Sequence, residues 1–329
     1  MQRRPTLDSP ARPIQRELPR REPQALTLGL DASAIDPASL APERRLLADL
    51  YSVTKPRMNF LVVVTTVIGF AVASGGVASL SSTPWLLLHT LFGTALTAAA
   101  ASVFNQVIER EYDAKMRRTR NRPLASGRLG SIEASVWGSL LLVSGVVWLA
   151  WYVNPITAGL GFLTVVLYVL IYTPMKRLSS LCTLVGAIPG AVPPMMGVTA
   201  VRNDLDALAW ALFAILFVWQ MPHFFALALM YRDDYAAGGF RMLPLIDHGI
   251  ARTRRQILGF SLLLVPVSLT PLLVDAGGWA YGIIAALLGV VFVRYARPAS
   301  RGTPGSERKL FLWSIVYLPL LLGALMLGW

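Results

Sequence analysis

Long apolar runs alternate with short polar, mostly basic connections along most of this chain. The runs fall at about 58–78, 85–107, 132–153, 156–172, 182–201, 207–230, 257–274, 279–295 and 311–329. Each is near the roughly 20 residues that a helix needs to cross the hydrocarbon core of a bilayer, so the pattern predicts an all-α integral membrane protein with nine transmembrane helices. Gly, Ala and Pro recur inside the runs, as expected where membrane helices pack closely. The fifth run contains Gly186 to Pro194, GAIPGAVPP, whose prolines remove amide donors and predict a bent or broken helix. Lipid cannot satisfy the freed carbonyls, so this helix is expected to face the protein interior or a water-filled cavity.

Ahead of the first run the pattern is different. Residues 1–43 are rich in Pro and Arg and poor in aromatics, too little apolar surface to offset ordering entropy. The expected organisation is a disordered cytoplasmic tail over 1–45 and a nine-helix domain over 46–329. Deleting residues 1–40 should then leave turnover nearly unchanged. Glu43 to Tyr51, ERRLLADLY, has Leu46, Leu47 and Leu50 on one side and reads as a short helix lying in the membrane interface, ended by Lys55-Pro56-Arg57. The tail has no long apolar segment of a cleavable signal peptide. Its acidic residues argue against a transit peptide, which points to the bacterial inner membrane.

Composition agrees with a membrane protein: 55% hydrophobic, only 15% charged, mean hydropathy +0.56. Threading nine spans through the bilayer puts 29 of the 30 Lys and Arg on one face. Basic residues are retained on the cytoplasmic side, so the N-terminus is expected inside and the C-terminus outside. Arg202 shares the opposite face with Asp204, Asp206 and Asp275. The net charge of +12 is therefore a topology signal and does not call for nucleic acid. A single cysteine, Cys182, excludes an intrachain disulfide and a thiolate cluster. No phosphate-binding loop of the nucleotide hydrolases and no dinucleotide fingerprint occurs.

The candidate chemistry lies at the end of the second run. Asn105, Glu109 and Asp113 are spaced four apart and form one stripe on a helix. Acidic groups at a helix C-terminus oppose its dipole, so something positive belongs there. Oxygen ligands without Cys or His suit a hard cation such as Mg²⁺, which takes one or two carboxylates plus substrate phosphates. Lys115, Arg117, Arg118, Arg120 and Arg122 follow and offer donors to phosphate oxygens. The plainer reading is salt bridging within the loop, Glu109 with Arg110 or Asp113 with Arg117. A second polar group, His223 with Asp233 and Asp234, closes the sixth run. Taken alone, His223 fits a hydrogen-bonded interior histidine better than a ligand.

These motifs resemble the UbiA-type intramembrane prenyltransferases, and within them the branch that modifies haem. The likeness covers about residues 46–329. It rests on KPR at Lys55 to Arg57, the N-x-x-x-E-x-x-x-D-x-x-M-x-R-T-x-x-R-P-L run from Asn105 to Leu124, YTPMKR from Tyr172 to Arg177, GAIPGAVPP, and PHF and DDY around His223 and Asp234. Glu109 and His223 stand where the wider superfamily more often has Asp. The resemblance implies a cytoplasmic-facing active-site cavity, farnesyl diphosphate and haem b as substrates, and the bilayer and a haem A synthase or oxidase-assembly protein as partners. Asn105, Glu109, Asp113 and Asp234 would bind Mg²⁺ and carry catalysis. Lys55, Arg57, Lys115, Arg118, Arg122, Tyr172, Lys176, Arg177 and His223 would bind substrates. Transfer to another aromatic or pigment acceptor is the alternative within the class. A carrier of an anionic lipid or metabolite is the alternative outside it, disfavoured because the charge lies at one face and no internal repeat is found.

Overall fold

The computed structural model describes residues 42–327 apart from Asp247. Up to residue 41 the expected tail lies outside the described residues. From Pro42 the chain is helical. Helix α1 (Pro42–Val53) exposes Leu46, Leu47 and Tyr51, while Asp49 is buried and pairs with Arg128 at 3.3 Å. Nine helices long and apolar enough to span a membrane follow among the described residues: α2 (Pro56–Ala73), α3 (Pro84–Asp113), α4 (Ser131–Tyr152), α5 (Pro155–Val166) continued by a π-helical turn (Leu167–Tyr172) and α6 (Thr173–Leu178), α7 (Cys182–Arg202), α8 (Ala207–Met230), α10 (Gly249–Val267) with the 3₁₀ turn after it, α11 (Trp279–Arg301) and α12 (Ser306–Met326). The short helix α9 (Arg232–Ala237) lies between α8 and α10.

Several boundaries differ from the apolar runs. The first run extends in sequence to about 78, but Gly75 and Gly76 adopt φ of 93° and 111°, and a 3₁₀ helix takes over at Val77. Only glycine enters that region freely, so α2 stops at Ala73. Helix α3 runs past the apolar residues to Asp113, 30 residues in all, and so carries the polar stripe on regular helix.

Helix α7 sits at the centre, packed against α2, α5 and α8, and buries the largest share of any span. Its three prolines do not break it: Cys182–Arg202 is one helix. The interior placement expected of it holds, since every residue from Ala191 to Ala200 is buried. Its glycines set the approach of its neighbours. A Cβ on Gly197 would lie 2.2 Å from the Thr66 carbonyl oxygen and one on Gly69 2.0 Å from that of Pro194, so α2 and α7 touch backbone to backbone. A Cβ on Gly186 would strike the Tyr172 ring at 2.4 Å. Small residues that admit such contact are the main adhesive between membrane helices, because lipid offers them no hydrophobic drive.

Candidate active site

The polar stripe of α3 ends among cations drawn from three other segments. Asn105, Glu109 and Asp113 are all buried. Lys55, in a left-handed conformation at the foot of α2, donates to Asn105 Oδ1 at 2.8 Å. Asn105 Nδ2 donates to Thr173 Oγ1 at 3.1 Å, and Thr173 Oγ1 donates to the Tyr168 carbonyl at 2.8 Å across the π-helical turn. One amide thus ties α2, α3 and the fourth span together. Lys176 Nζ lies 2.8 Å from Glu109 Oε1 and 4.6 Å from the centre of the Tyr172 ring. Arg122 Nη1 meets Asp113 Oδ2 at 2.7 Å, and Thr119 Oγ1 caps the Asp113 carbonyl at 2.8 Å, folding the basic loop back over the helix end. Arg177 donates to the Tyr112 hydroxyl and stacks on its ring at 4.6 Å.

Salt bridging within the loop therefore accounts for part of the stripe only, and with other partners than the sequence suggested. Glu109 pairs across to the fourth span and Asp113 with Arg122, while Arg110 turns to Glu111 and Ser131. Two carboxylate oxygens keep unfilled lone pairs. Asp113 Oδ1 is enclosed without a hydrogen-bond partner, and Glu109 Oε1 faces Lys176 at ion-pair distance without hydrogen-bond alignment. A buried acceptor in that state costs stability unless something else coordinates it. The cations outnumber these anions. Burial pushes the Lys55 ammonium down to about 7, with Arg122 and Lys176 pressing the same way and Glu109 and Asp113 opposing. A polyanion entering this ring would relieve that imbalance.

Asp234 is not brought to the same point. With Asp233 it lines a separate, open pocket shared with Arg117, Arg118, Met230 and Tyr231. Arg118 spans the two sides, its guanidinium 5.3 Å from the Tyr231 ring and 5.9 Å from the Tyr235 ring. Lys115 is exposed over Tyr112 at 5.5 Å. Arg57 is exposed and forms no ion pair among the described residues. No cluster of three or more His, Cys, Asp or Glu around one point occurs among the described residues. A complete protein cage for a metal is thus absent there, and a pair of carboxylates one helical turn apart is what remains. That pair, with open oxygens and no soft ligand, fits Mg²⁺ completed by phosphate and water.

His223 stands apart from both acidic groups. It lies between α8 and α12, with Nδ1 2.7 Å from Ser314 Oγ and its ring stacked between Trp219 and Phe311. Neither Ser314 nor Thr173 was visible as a site residue, since a lone hydroxyl in an apolar run gives no signal. Tyr168 was hidden for the same reason.

The chain belongs to the UbiA prenyltransferase family, whose model matches residues 62–316. Its relatives include a protoheme IX farnesyltransferase of Anaeromyxobacter sp. (strain Fw109-5), 44% identical over 92% of this chain and 99% of that protein. Another, of Solibacter usitatus (strain Ellin6076), is 42% identical over 85% of this chain and 98% of its own. Among solved structures, a digeranylgeranylglyceryl phosphate synthase superposes with a TM-score of 0.71 at 16% identity, covering 86% of this chain and 98% of that one. A UbiA homolog from Archaeoglobus fulgidus, bound to DMAPP and Mg²⁺, reaches 0.58 at 12% identity over 84% and 99%. At such identities these two speak for the fold.

Proposed function

We propose that this enzyme transfers the farnesyl group of farnesyl diphosphate to the 2-vinyl group of haem b, with addition of water, giving haem O. The observation that carries the transfer is the buried Glu109 and Asp113 carboxylate pair on α3, with Asp113 Oδ1 unpartnered, set among Lys55, Lys176 and Arg122. The acceptor rests on the protoheme IX farnesyltransferases, which match nearly the whole chain.

Glu109 and Asp113 would hold Mg²⁺, which when bound neutralises diphosphate oxygens and the charge that develops on them. Asn105 keeps Lys55 aimed at that charge from the same stripe. Lys176, Arg122 and Arg177 donate to the departing diphosphate, and their fixed positions mean that little reorganisation is needed as negative charge grows. Lys115 and Arg118 guard the outer rim, while Asp234 faces the separate pocket it shares with Arg117 and Arg118 and takes no part in this clamp. Tyr172 lies against Lys176 and packs on Tyr168, and ring faces such as theirs favour an allylic cation. The vinyl carbon attacks farnesyl C1 as the C1–O bond breaks, and water then adds to the cation left on the porphyrin side chain and releases a proton.

The concentration of basic residues at one end of the spans supports a site on the cytoplasmic face of a bacterial inner membrane, with the N-terminus inside and the C-terminus outside. The test is the purified full chain incubated with farnesyl diphosphate, Mg²⁺ and haem b. A heavier, more apolar porphyrin appearing with pyrophosphate supports the reading. Flux of an anion across proteoliposomes without covalent change would replace it with a carrier. Chelation of divalent cations by EDTA should abolish product, and added Mg²⁺ should restore it, because the carboxylate pair alone repels the diphosphate.

A further inference from the structure

The contacts of His223 fix which of its nitrogens is free. Ser314 Oγ lies 2.6 Å from the Phe311 carbonyl, to which it donates, and 2.7 Å from His223 Nδ1. A serine hydroxyl has a single hydrogen, so satisfying both contacts at once requires Ser314 to accept from His223 Nδ1–H. The Ser314 backbone carbonyl in turn accepts from Trp219 Nε1 at 2.9 Å. The imidazole is then the Nδ1–H tautomer, with a lone pair on Nε2. That atom has no hydrogen-bond partner among the described residues and is not enclosed. Its ring cannot turn away: it is stacked on Trp219 at 5.0 Å and 23° and on Phe311 at 4.7 Å and 28°, with Phe224 edge-on at 5.4 Å.

Among the described residues no charged side chain hydrogen-bonds to or ion-pairs with this imidazole, whose partners are a hydroxyl and aromatic rings instead of diphosphate donors. Along α8 it lies seven residues before Met230, about 10 Å deeper than the pocket that Met230 shares with Asp233 and Asp234. We infer that His223 Nε2 is the axial ligand to the iron of the metalloporphyrin acceptor, and that Ser314 is the positioning residue that holds its tautomer. The inference rests on the haem-acceptor reading above. Neutral imidazole is the commonest biological metal ligand, and the hydrogen bond on its other nitrogen decides which atom coordinates and in what orientation. The aromatic stack holds the ring in one plane and leaves Nε2 at its unstacked edge.

The experiment titrates haem b, and separately iron-free protoporphyrin IX, into the purified full chain, reading the Soret band and affinity. His223→Ala should lose the wild-type haem spectrum and weaken haem binding by about tenfold or more, with added imidazole restoring the band. Ser314→Ala keeps the ring and the backbone bond to Trp219, so only the orienting contact goes. It should weaken haem binding by about tenfold, and Ser314→Thr should recover it. Protoporphyrin IX and farnesyl diphosphate affinities should not change in any variant. An unchanged haem spectrum in His223→Ala, or equal loss of haem and protoporphyrin binding, overturns the ligand role. The haem-acceptor reading would survive either result provided the wild type still farnesylates haem b. A wild type that farnesylates no haem removes both.

Discussion

Asp113→Asn is expected to lower farnesyl transfer by at least a hundredfold while leaving the helical bundle folded. The substitution keeps the size and shape of the side chain but removes the charge that pairs with Arg122 and faces the unfilled site. Loss of one preorganised electrostatic contact to the reacting groups typically costs 10² to 10³ in turnover. Arg122 is only partly buried, its side chain 29% exposed, so it can turn to water when its partner is neutralised. Thermal unfolding should therefore move little. Glu111→Gln is the companion variant: Glu111 is exposed and among the described residues pairs only with Arg110, so its turnover should stay near wild type. Turnover of Asp113→Asn above about a tenth of wild type would remove Asp113 from the metal site.

Gly197→Ala is expected to lower stability and activity together. Its Cβ would sit 2.2 Å from the Thr66 carbonyl oxygen and 2.5 Å from the Phe70 amide nitrogen. Both are backbone atoms, so no side chain can rotate away and α2 itself must retreat from α7. Overpacking of this kind costs about 1–3 kcal/mol, and α2 carries Lys55 at its foot, so activity should fall together with stability. Gly323→Ala in α12 is the control. Nothing lies within 4 Å of its Cβ, and alanine is the better helix former by up to about 1 kcal/mol. Equal unfolding temperatures for the two variants in detergent would show that the α2–α7 contact is looser than described.

The spans were legible because crossing a bilayer demands apolar length, and length needs no knowledge of partners. Where hydropathy and hydrogen bonding part company, the sequence misled. The apolar residues of the seventh run begin at about 257, yet α10 begins at Gly249, since a helix continues as long as its amides find carbonyls whatever the side chains above them. The stripe Asn105, Glu109, Asp113 was also legible, from spacing alone. Its partners were not. Lys176 is 67 positions away from Glu109 and Lys55 is 50 from Asn105, and these pairs exist only once α2, α3 and the fourth span meet. His223 was visible as an isolated imidazole in an apolar run, but its role depended on Ser314, 91 positions on.

The π-helical turn at Leu167–Tyr172 has a consequence for how the fourth span could be altered. A helix of this kind holds one residue more per turn than its flanks, so the segment works as a gear between two phases of one rod. Upstream, the phase suits packing against α3 and α4; downstream, it delivers Lys176 to Glu109. Deleting one residue as Leu167–Tyr172 relaxes to an ordinary α-helix would restore the phase. Relaxing it with no residue removed would rotate everything beyond it by about 100°, carrying Lys176 off its carboxylate without touching a single catalytic side chain. The same length of apolar helix would still cross the membrane, and the two ends of the rod would no longer serve one enzyme.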